Sequence, residues 1–259
     1  MAEVFDCNDS AQLLTAARTA RQSLGRGELV VLPTDTVYGI AADAFTPAAV
    51  TRLLEAKGRG RQSPPPVLIP DAATLDALAA EVTEPVRALA TAFWPGPLTI
   101  VLRANPSLSW DLGDTGGTVA LRIPDQSLTI DLLRETGPLA VSSANKTGEP
   151  AARRITEAQQ MLGDSVAVYL DAGEVTGDGT ASTIVDASAL TNEGGTLRVL
   201  RDGGVSREAI AELLPQISIV DAGSVTGAEA GTGDETAADP GAEAAAEAAA
   251  EAGADAAES

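Results

Sequence analysis

The chain has 259 residues, 44% of them hydrophobic and 21% charged, ordinary proportions for a soluble globular protein with a sizeable core. Seventeen basic side chains stand against 37 acidic ones, a formal net charge of −20, which argues against unaided attraction to nucleic acid or an anionic membrane. Histidine is absent and Cys7 is the only cysteine. That removes Ser-His-Asp and Cys-His nucleophile pairs, histidine and cysteine zinc sites, and internal disulfides. Chemistry is left to Lys, Arg, Ser, Thr, Asn, Asp, Glu and main-chain amides.

The opening residues MAEVFDCNDS are acidic and lead into no apolar stretch of the signal-peptide kind. No run approaches the roughly 18 apolar residues of a spanning helix, so a soluble, cytoplasmic protein is expected. Ser10 is expected to cap a helix carrying Leu13, Leu14, Ala17 and Ala20 and ending near Gly25. Leu29–Pro33 reads as a short buried strand. Thr46-Pro47 pairs an N-cap with proline at the first helical position, ahead of Val50, Leu53 and Leu54, and this helix stops at Lys57-Gly58. Further strands are predicted at Val67–Ile69, Leu98–Leu102, Val119–Ile123, Leu139–Val141, Val166–Leu170, Thr183–Val185 and Leu197–Leu200. Helices are predicted at Ala72–Ala80, Pro85–Phe93, Leu128–Glu135, Glu157–Leu162 and Arg207–Leu214, with Thr156 and Gln159 as a capping box. Short apolar strands separated by helices indicate an α/β domain on a twisted, mixed sheet. No internal repeat and no second folded domain is evident.

Composition changes near Asp221, dividing a globular part, residues 1–221, from a tail, residues 222–259. The tail holds nine acidic residues and no basic one, which leaves −11 for the rest. Its only large apolar side chain is Val225, and the glutamates of EAAAEAAAE (Glu243–Glu251) repel at i, i+4. Such a segment is expected to be disordered or transiently helical. Solubilisation is one role for it and partner binding another.

Four polar clusters follow strand or helix ends. Thr34-Asp35-Thr36 sits in PTDTVYG (Pro33–Gly39), where open α/β sheets bind ligands, although the same residues make ordinary turn caps. Lys57-Gly58-Arg59-Gly60-Arg61 offers three cations on a flexible backbone. That suits phosphate binding, or a helix C-terminus that merely favours positive charge. Lys57 and Lys146 are the only lysines beside fifteen arginines. Arg122 interrupts the apolar strand Val119–Ile123 and needs a partner there, either a structural carboxylate or an anionic substrate. The fourth cluster, Val141–Gly148 (VSSANKTG), can form an anion-binding turn. No GxxxxGK[ST] and no GxGxxG after a strand is present, which excludes the common phosphate loops.

Taken in order, PTDTVYG, KGR, FWPGPLT (Phe93–Thr99), ALRIP (Ala120–Pro124), SSANKTG, STIVD (Ser182–Asp186) and LRDGGV (Leu200–Val205) resemble the YrdC-like family of threonylcarbamoyl-AMP synthases. The resemblance runs from about Glu28 to Val205. It implies a twisted mixed sheet flanked by helices around a deep, positively charged cavity. It also implies an activity: L-threonine, bicarbonate or CO2 and ATP would give threonylcarbamoyl-AMP and pyrophosphate, for modification of tRNA by a separate transferase complex. Mg2+ is expected to accompany ATP, and no protein-held metal is implied. Positioning and charge neutralisation would carry the catalysis, which suits a chain without histidine.

Position by position, the resemblance makes Lys57 and Arg59 the catalytic cations. Thr36, Arg122, Val141 (main chain only) and Ser182 become threonine contacts. Arg59, Ser63, Thr118, Ser143, Asn145, Ala151 (main chain only) and Arg201 become ATP contacts. Leu68 stands where relatives often carry a histidine, and Asp125-Gln126 follows the RIP motif where a histidine is common. The chain resembles a short form of the family, so closure of the site would fall to loops such as Gly113–Gly117 or Gly173–Thr180. Two other readings share these motifs: a double-stranded RNA or tRNA binding module, and a paralogue acting on another carbamoyl group without threonine specificity. Direct contact with tRNA is left open.

Overall fold

The computed structural model describes residues 2–176 and 179–222. The tail beyond Ala222 and residues Gly177 and Asp178 of the expected closing loop lie outside the described residues. Among the described residues eleven strands form one sheet. The first five are β1 (Glu3–Asp6), β2 (Val30–Leu32), β3 (Gly39–Asp43), β4 (Val67–Leu68) and β5 (Leu98–Arg103). They are followed by β6 (Thr118–Arg122), β7 (Leu139–Ser143), β8 (Val168–Asp171), β9 (Thr183–Asp186), β10 (Thr196–Arg201) and β11 (Ser218–Asp221). The helices are α1 (Ser10–Gly25), α2 (Pro47–Lys57), α3 (Ala72–Leu78), α4 (Glu84–Phe93), α5 (Ser127–Thr136), α6 (Ile155–Leu162) and α7 (Arg207–Leu213).

The sheet order is β1-β8-β2-β3-β7-β4-β6-β5-β9-β10-β11. Parallel pairs such as β2/β8 and β5/β9 alternate with antiparallel pairs such as β3/β7 and β5/β6, so the sheet is mixed. Its middle is covered on both faces. Val30 and Leu32 of β2 pack with Ala16, Ala20 and Leu24 of α1 and Leu132 and Leu133 of α5. Their neighbour Val31 packs on the other face with Ala49 and Leu53 of α2 and Ile155 and Ala158 of α6. Two covered faces are why LVVL reads as a continuous apolar run. Among the described residues no helix is long and apolar enough to cross a membrane.

Three strands lacked a sequence signal. β3 is GIAAD, poor in β-branched residues, and its pairing partners β2 and β7 impose the extended state. β1 and β11 are short edge strands with largely exposed side chains, so neither shows alternation. Helix starts also differ by a residue or two. Asp9, not Ser10, caps α1 by accepting the Ala11 N–H. Thr46 stands at the N-cap of α2, but its hydroxyl donates to Asp43 instead. The Thr156/Gln159 capping box is not formed, because α6 starts at Ile155. The Glu157 carboxylate takes the N–H groups of Arg153 and Arg154, at 2.8 and 3.2 Å.

Candidate active site

The candidate residues come together where β6, β7 and β10 end. Strand alternation in β6 puts Val119 and Leu121 into the main core and leaves Thr118, Ala120 and Arg122 on the opposite face. Arg201 does not follow this alternation, since two residues earlier Val199 is a core residue. A register shift between Val199 and Arg201 pairs Val199 with Val185 but Arg201 with Ile184, so a β-bulge at Leu200 turns Arg201 onto the face of Ile184 and Ala120. Bulges that re-aim a side chain in this way are common beside active sites.

Lys57 ends α2, and Gly58 follows it at φ 70° as a left-handed cap. Although its side chain belongs to a helix end, Lys57 is almost completely buried. Its Nζ donates to the main-chain carbonyls of Ser143 (2.7 Å) and Asn145 (2.8 Å), and to Asn145 Oδ1 at 3.3 Å. Lysine 57 therefore braces the SSAN turn from beneath. Asn145 closes the same turn, its Nδ2 donating to the carbonyls of Lys146 and Glu149. Arg59 reaches the far side of the turn, Nε to Thr147 Oγ1 at 3.1 Å. Ser143 and Asn145 are thus joined to Lys57 and Arg59 in one assembly.

Arg122 is buried, and its guanidinium is fully oriented. Nε donates to the Gly96 carbonyl (2.9 Å), Nη1 to Thr36 Oγ1 (3.2 Å) and Nη2 to Asp35 Oδ1 (2.6 Å). The FWPGPLT and PTDTVYG motifs meet at this one side chain. Asp35 also accepts the Asp125 N–H at 3.0 Å. The carboxylate partner that Arg122 needs is therefore present within the protein. Burial lowers the pKa of Arg122, and Asp35 opposes that shift.

Ser182 lies between Thr99 and Arg201. Its hydroxyl is 3.0 Å from Thr99 Oγ1, and Arg201 donates to both its carbonyl (2.9 Å) and its hydroxyl (3.1 Å). The pKa of Arg201 is pushed down to about 10, chiefly by burial and then by the positive charges of Arg122 and Arg59. Arg122 and Arg59, from two other motifs, thus add positive potential at Arg201.

The remaining candidates sit as follows. Thr118 begins β6, its hydroxyl donating to the Thr115 carbonyl at 2.7 Å. Ser63 lies in the loop after the KGRGR segment, its N–H on the Gly60 carbonyl. Val141 is buried in β7, with its N–H committed to the Pro66 carbonyl at 2.8 Å. Ala151 precedes Ala152, whose carbonyl takes the Tyr38 N–H of the PTDTVYG turn. Leu68 is buried against Leu132, Leu139 and Val141, paired in register with Arg122. Arg61, the third cation of its cluster, faces away toward Asp111 in a two-bond pair of 2.8 and 2.9 Å.

Residues 22–203 match the family model Sua5_yciO_yrdC, described as "Telomere recombination". This chain belongs to the Sua5–YciO–YrdC family. It is 50% identical over 227 residues to a putative threonylcarbamoyl-AMP synthase of Mycobacterium tuberculosis, covering 88% of this chain and 100% of the relative. It is 35% identical over 210 residues to the Bacillus subtilis threonylcarbamoyl-AMP synthase, covering 80% of this chain and 58% of that one. A crystal structure of P. abyssi Sua5 complexed with L-threonine superposes with a TM-score of 0.71 at 34% identity, over 78% of this chain and 58% of that chain. E. coli YciO, at 20% identity and a TM-score of 0.68, shares the fold.

Three further side chains meet these residues without having been assigned a role from the sequence. Asp35 stood in the first polar cluster, as a ligand-site or turn-capping residue, with no sign of its partner Arg122. Thr99 was hidden inside an apolar strand, where one hydroxyl is no signal. Tyr38 was passed over too: its hydroxyl donates to the Gly173 carbonyl at 2.6 Å and accepts the Ala172 N–H at 3.0 Å. It thereby ties the first motif to the loop that follows β8. That loop and the PTD segment enclose a cleft of about 430 Å³, lined by Thr34, Asp35, Tyr38, Asp125 and Gly173 among others.

Proposed function

We propose that this protein is an L-threonylcarbamoyladenylate synthase, a nucleotidyltransferase that makes threonylcarbamoyl-AMP and pyrophosphate from L-threonine, bicarbonate or CO2, and ATP. The observation that carries this reading is the joining of motifs far apart in sequence, PTDTVYG and FWPGPLT at Arg122 and KGR with SSANKTG through Lys57 and Arg59. Identity of 50% to a putative synthase over nearly the whole chain supports it. So does the threonine complex of the structurally similar Sua5.

In this reading the threonine ammonium first gives a proton to solvent, and the free amine nitrogen bonds to the carbon of CO2 with loss of a second proton to solvent, giving a carbamate. One carbamate oxygen then bonds to the α-phosphorus as the bond to pyrophosphate breaks. Lys57 and Arg59 serve as the catalytic cations, Lys57 through the SSAN turn that it holds. Thr36, Arg122, Ser182 and the main chain of Val141 face threonine. Ser63, Thr118, Ser143, Asn145, Arg201 and the main chain of Ala151 face ATP, which enters as its magnesium complex. Positioning and charge neutralisation suffice, because the substrates supply both nucleophile and leaving group. Residues 1–221 form the catalytic domain and 222–259 an appended acidic tail. The product serves tRNA threonylcarbamoyladenosine formation in the cytoplasm, through a downstream transferase.

The test is pyrophosphate release from ATP and bicarbonate with L-threonine, with L-serine, or with neither. Threonine-dependent release with a threonylcarbamoyl-AMP mass is the expected result. Release that ignores threonine would replace this reading by a paralogue acting on another acceptor.

A further inference from the structure

Beyond Arg122 as the group facing the substrate carboxylate, we propose that Asp35 is the receptor for the α-ammonium group of the amino-acid substrate. The inference rests on the reading of this site as one that takes an α-amino acid. It assigns the requirement for an amino group to a particular side chain.

The ion pair of Arg122 and Asp35 is buried, with side-chain exposures of 8% and 14%, and its closest atoms are 2.6 Å apart. Such a pair is already neutral. A carboxylate arriving alone would bring a negative charge that this pair does not itself compensate, where water is scarce. A zwitterionic α-amino acid adds none. Its carboxylate and ammonium are separated by a single carbon, and together they are the reverse image of the Asp35–Arg122 pair.

Hydrogen-bond capacity agrees with charge. The contacts to Gly96, Thr36 and Asp35 use three of the five N–H donors of the Arg122 guanidinium, which leaves two for a carboxylate. Arg122 Nη2 and the Asp125 N–H both donate to Asp35 Oδ1. A carboxylate has about four acceptor positions over its two oxygens, so room for an ammonium remains. Asp35 also contributes to the wall of the cleft of about 430 Å³, beside Thr34 and Tyr38. Its main chain is held by the Thr34 hydroxyl, which accepts the N–H of Thr36 and of Val37.

The test measures binding by calorimetry to the full chain, with magnesium and α,β-methylene-ATP present and bicarbonate omitted, so that no adenylate forms. The ligands are L-threonine and (R)-3-hydroxybutanoate, which keeps the carboxylate and the hydroxyl and lacks the amino group. The unmodified protein is expected to prefer threonine by about tenfold or more, the size of a charge-assisted hydrogen bond. Asp35→Asn should weaken threonine and leave 3-hydroxybutanoate unchanged or tighter, because Arg122 is then no longer neutralised. Asp35→Glu, which keeps the charge, should keep the preference. Equal weakening of both ligands in Asp35→Asn would make Asp35 a scaffold for Arg122 and overturn the proposal. Absence of a threonine preference in the unmodified protein would overturn it without any variant. Threonine-dependent pyrophosphate release by the unmodified protein, measured in parallel, separates failure of this assignment from failure of the synthase reading.

Discussion

The Lys57 ammonium and the Asn145 main-chain carbonyl, 88 residues apart in sequence, lie 2.8 Å from each other in the buried base of the SSAN turn. Lys57 also takes the Ser143 carbonyl. Replacing it with Met keeps length and apolar bulk but takes the ammonium from the Asn145 carbonyl and leaves the Ser143 carbonyl with the Asn145 N–H. A buried group left without a partner costs about 1–3 kcal/mol, so Lys57→Met should lower unfolding stability by that amount. A denaturant titration will read this. Threonine-dependent turnover should fall along with it, since Ser143 and Asn145 lose their support. Unchanged stability would remove the bracing role.

The two arginines of the KGRGR segment predict opposite behaviour. Arg59 adds to the charge felt at Arg201, whereas Arg61 is held by Asp111 and Asp114 on an exposed surface. Arg59→Ala should raise the KM for ATP by about tenfold or more, the range of one lost charge-assisted contact. Arg61→Ala should change it by less than about threefold, because exposed ion pairs contribute little. Initial-rate kinetics at saturating threonine will discriminate.

Gly203 makes the closest main-chain approach near the site. A Cβ there would lie 2.4 Å from the Ala181 carbonyl oxygen and 2.5 Å from both Ser182 C and Thr183 N. Gly203→Ala must push back the segment carrying Ser182, and Arg201 with it. Overpacking of this kind costs about 1–3 kcal/mol. Turnover should drop more steeply than stability, because the two side chains proposed to face threonine and ATP move together. Gly25→Ala, where a Cβ meets open space, is the control and should be silent.

Alkaline stability follows from three buried acids. Burial pushes Tyr38 and Tyr169 up to about 12 and Cys7 up to about 11, from ordinary values of 10.0 and 9.0. Below those ordinary values folded and unfolded chains hold the same protons. Above them the unfolded chain releases protons first, so stability should fall between about pH 9 and pH 12. Tyr38→Phe should make that decline shallower. It should also lower stability at pH 8, since the bonds to Gly173 and Ala172 are lost. Denaturant midpoints at pH 8, 9, 10 and 11 provide the measurement.

Much of the site was legible in the sequence, and the reason is local. Apolar runs such as LVVL mark buried strands, Pro47 and Gly58 bound a helix, and a charged residue within VALRIP demands a partner wherever it lies. Order along the chain then grouped PTDTVYG, KGR, SSANKTG and LRDGGV into one family pattern. From sequence alone follow the α/β class, the exclusion of histidine-ligated and cysteine-ligated metal sites, and the identities of the cations.

Tertiary structure decided what each cation does. Nothing near Lys57 in sequence says that its charge turns inward to two carbonyls of a distant turn. Asp35, in the segment after β2, becomes the partner of Arg122 at the end of β6 only in the folded sheet, where β3, β7 and β4 lie between those two strands and 87 residues separate the pair in sequence. Simple alternation would have sent Arg201 into the core with Val199, and only the bulge at Leu200, imposed by pairing with β9, brings it to the site. Propensity and alternation are properties of neighbouring residues. Charge pairing, burial and register depend on segments that meet only after the chain has folded.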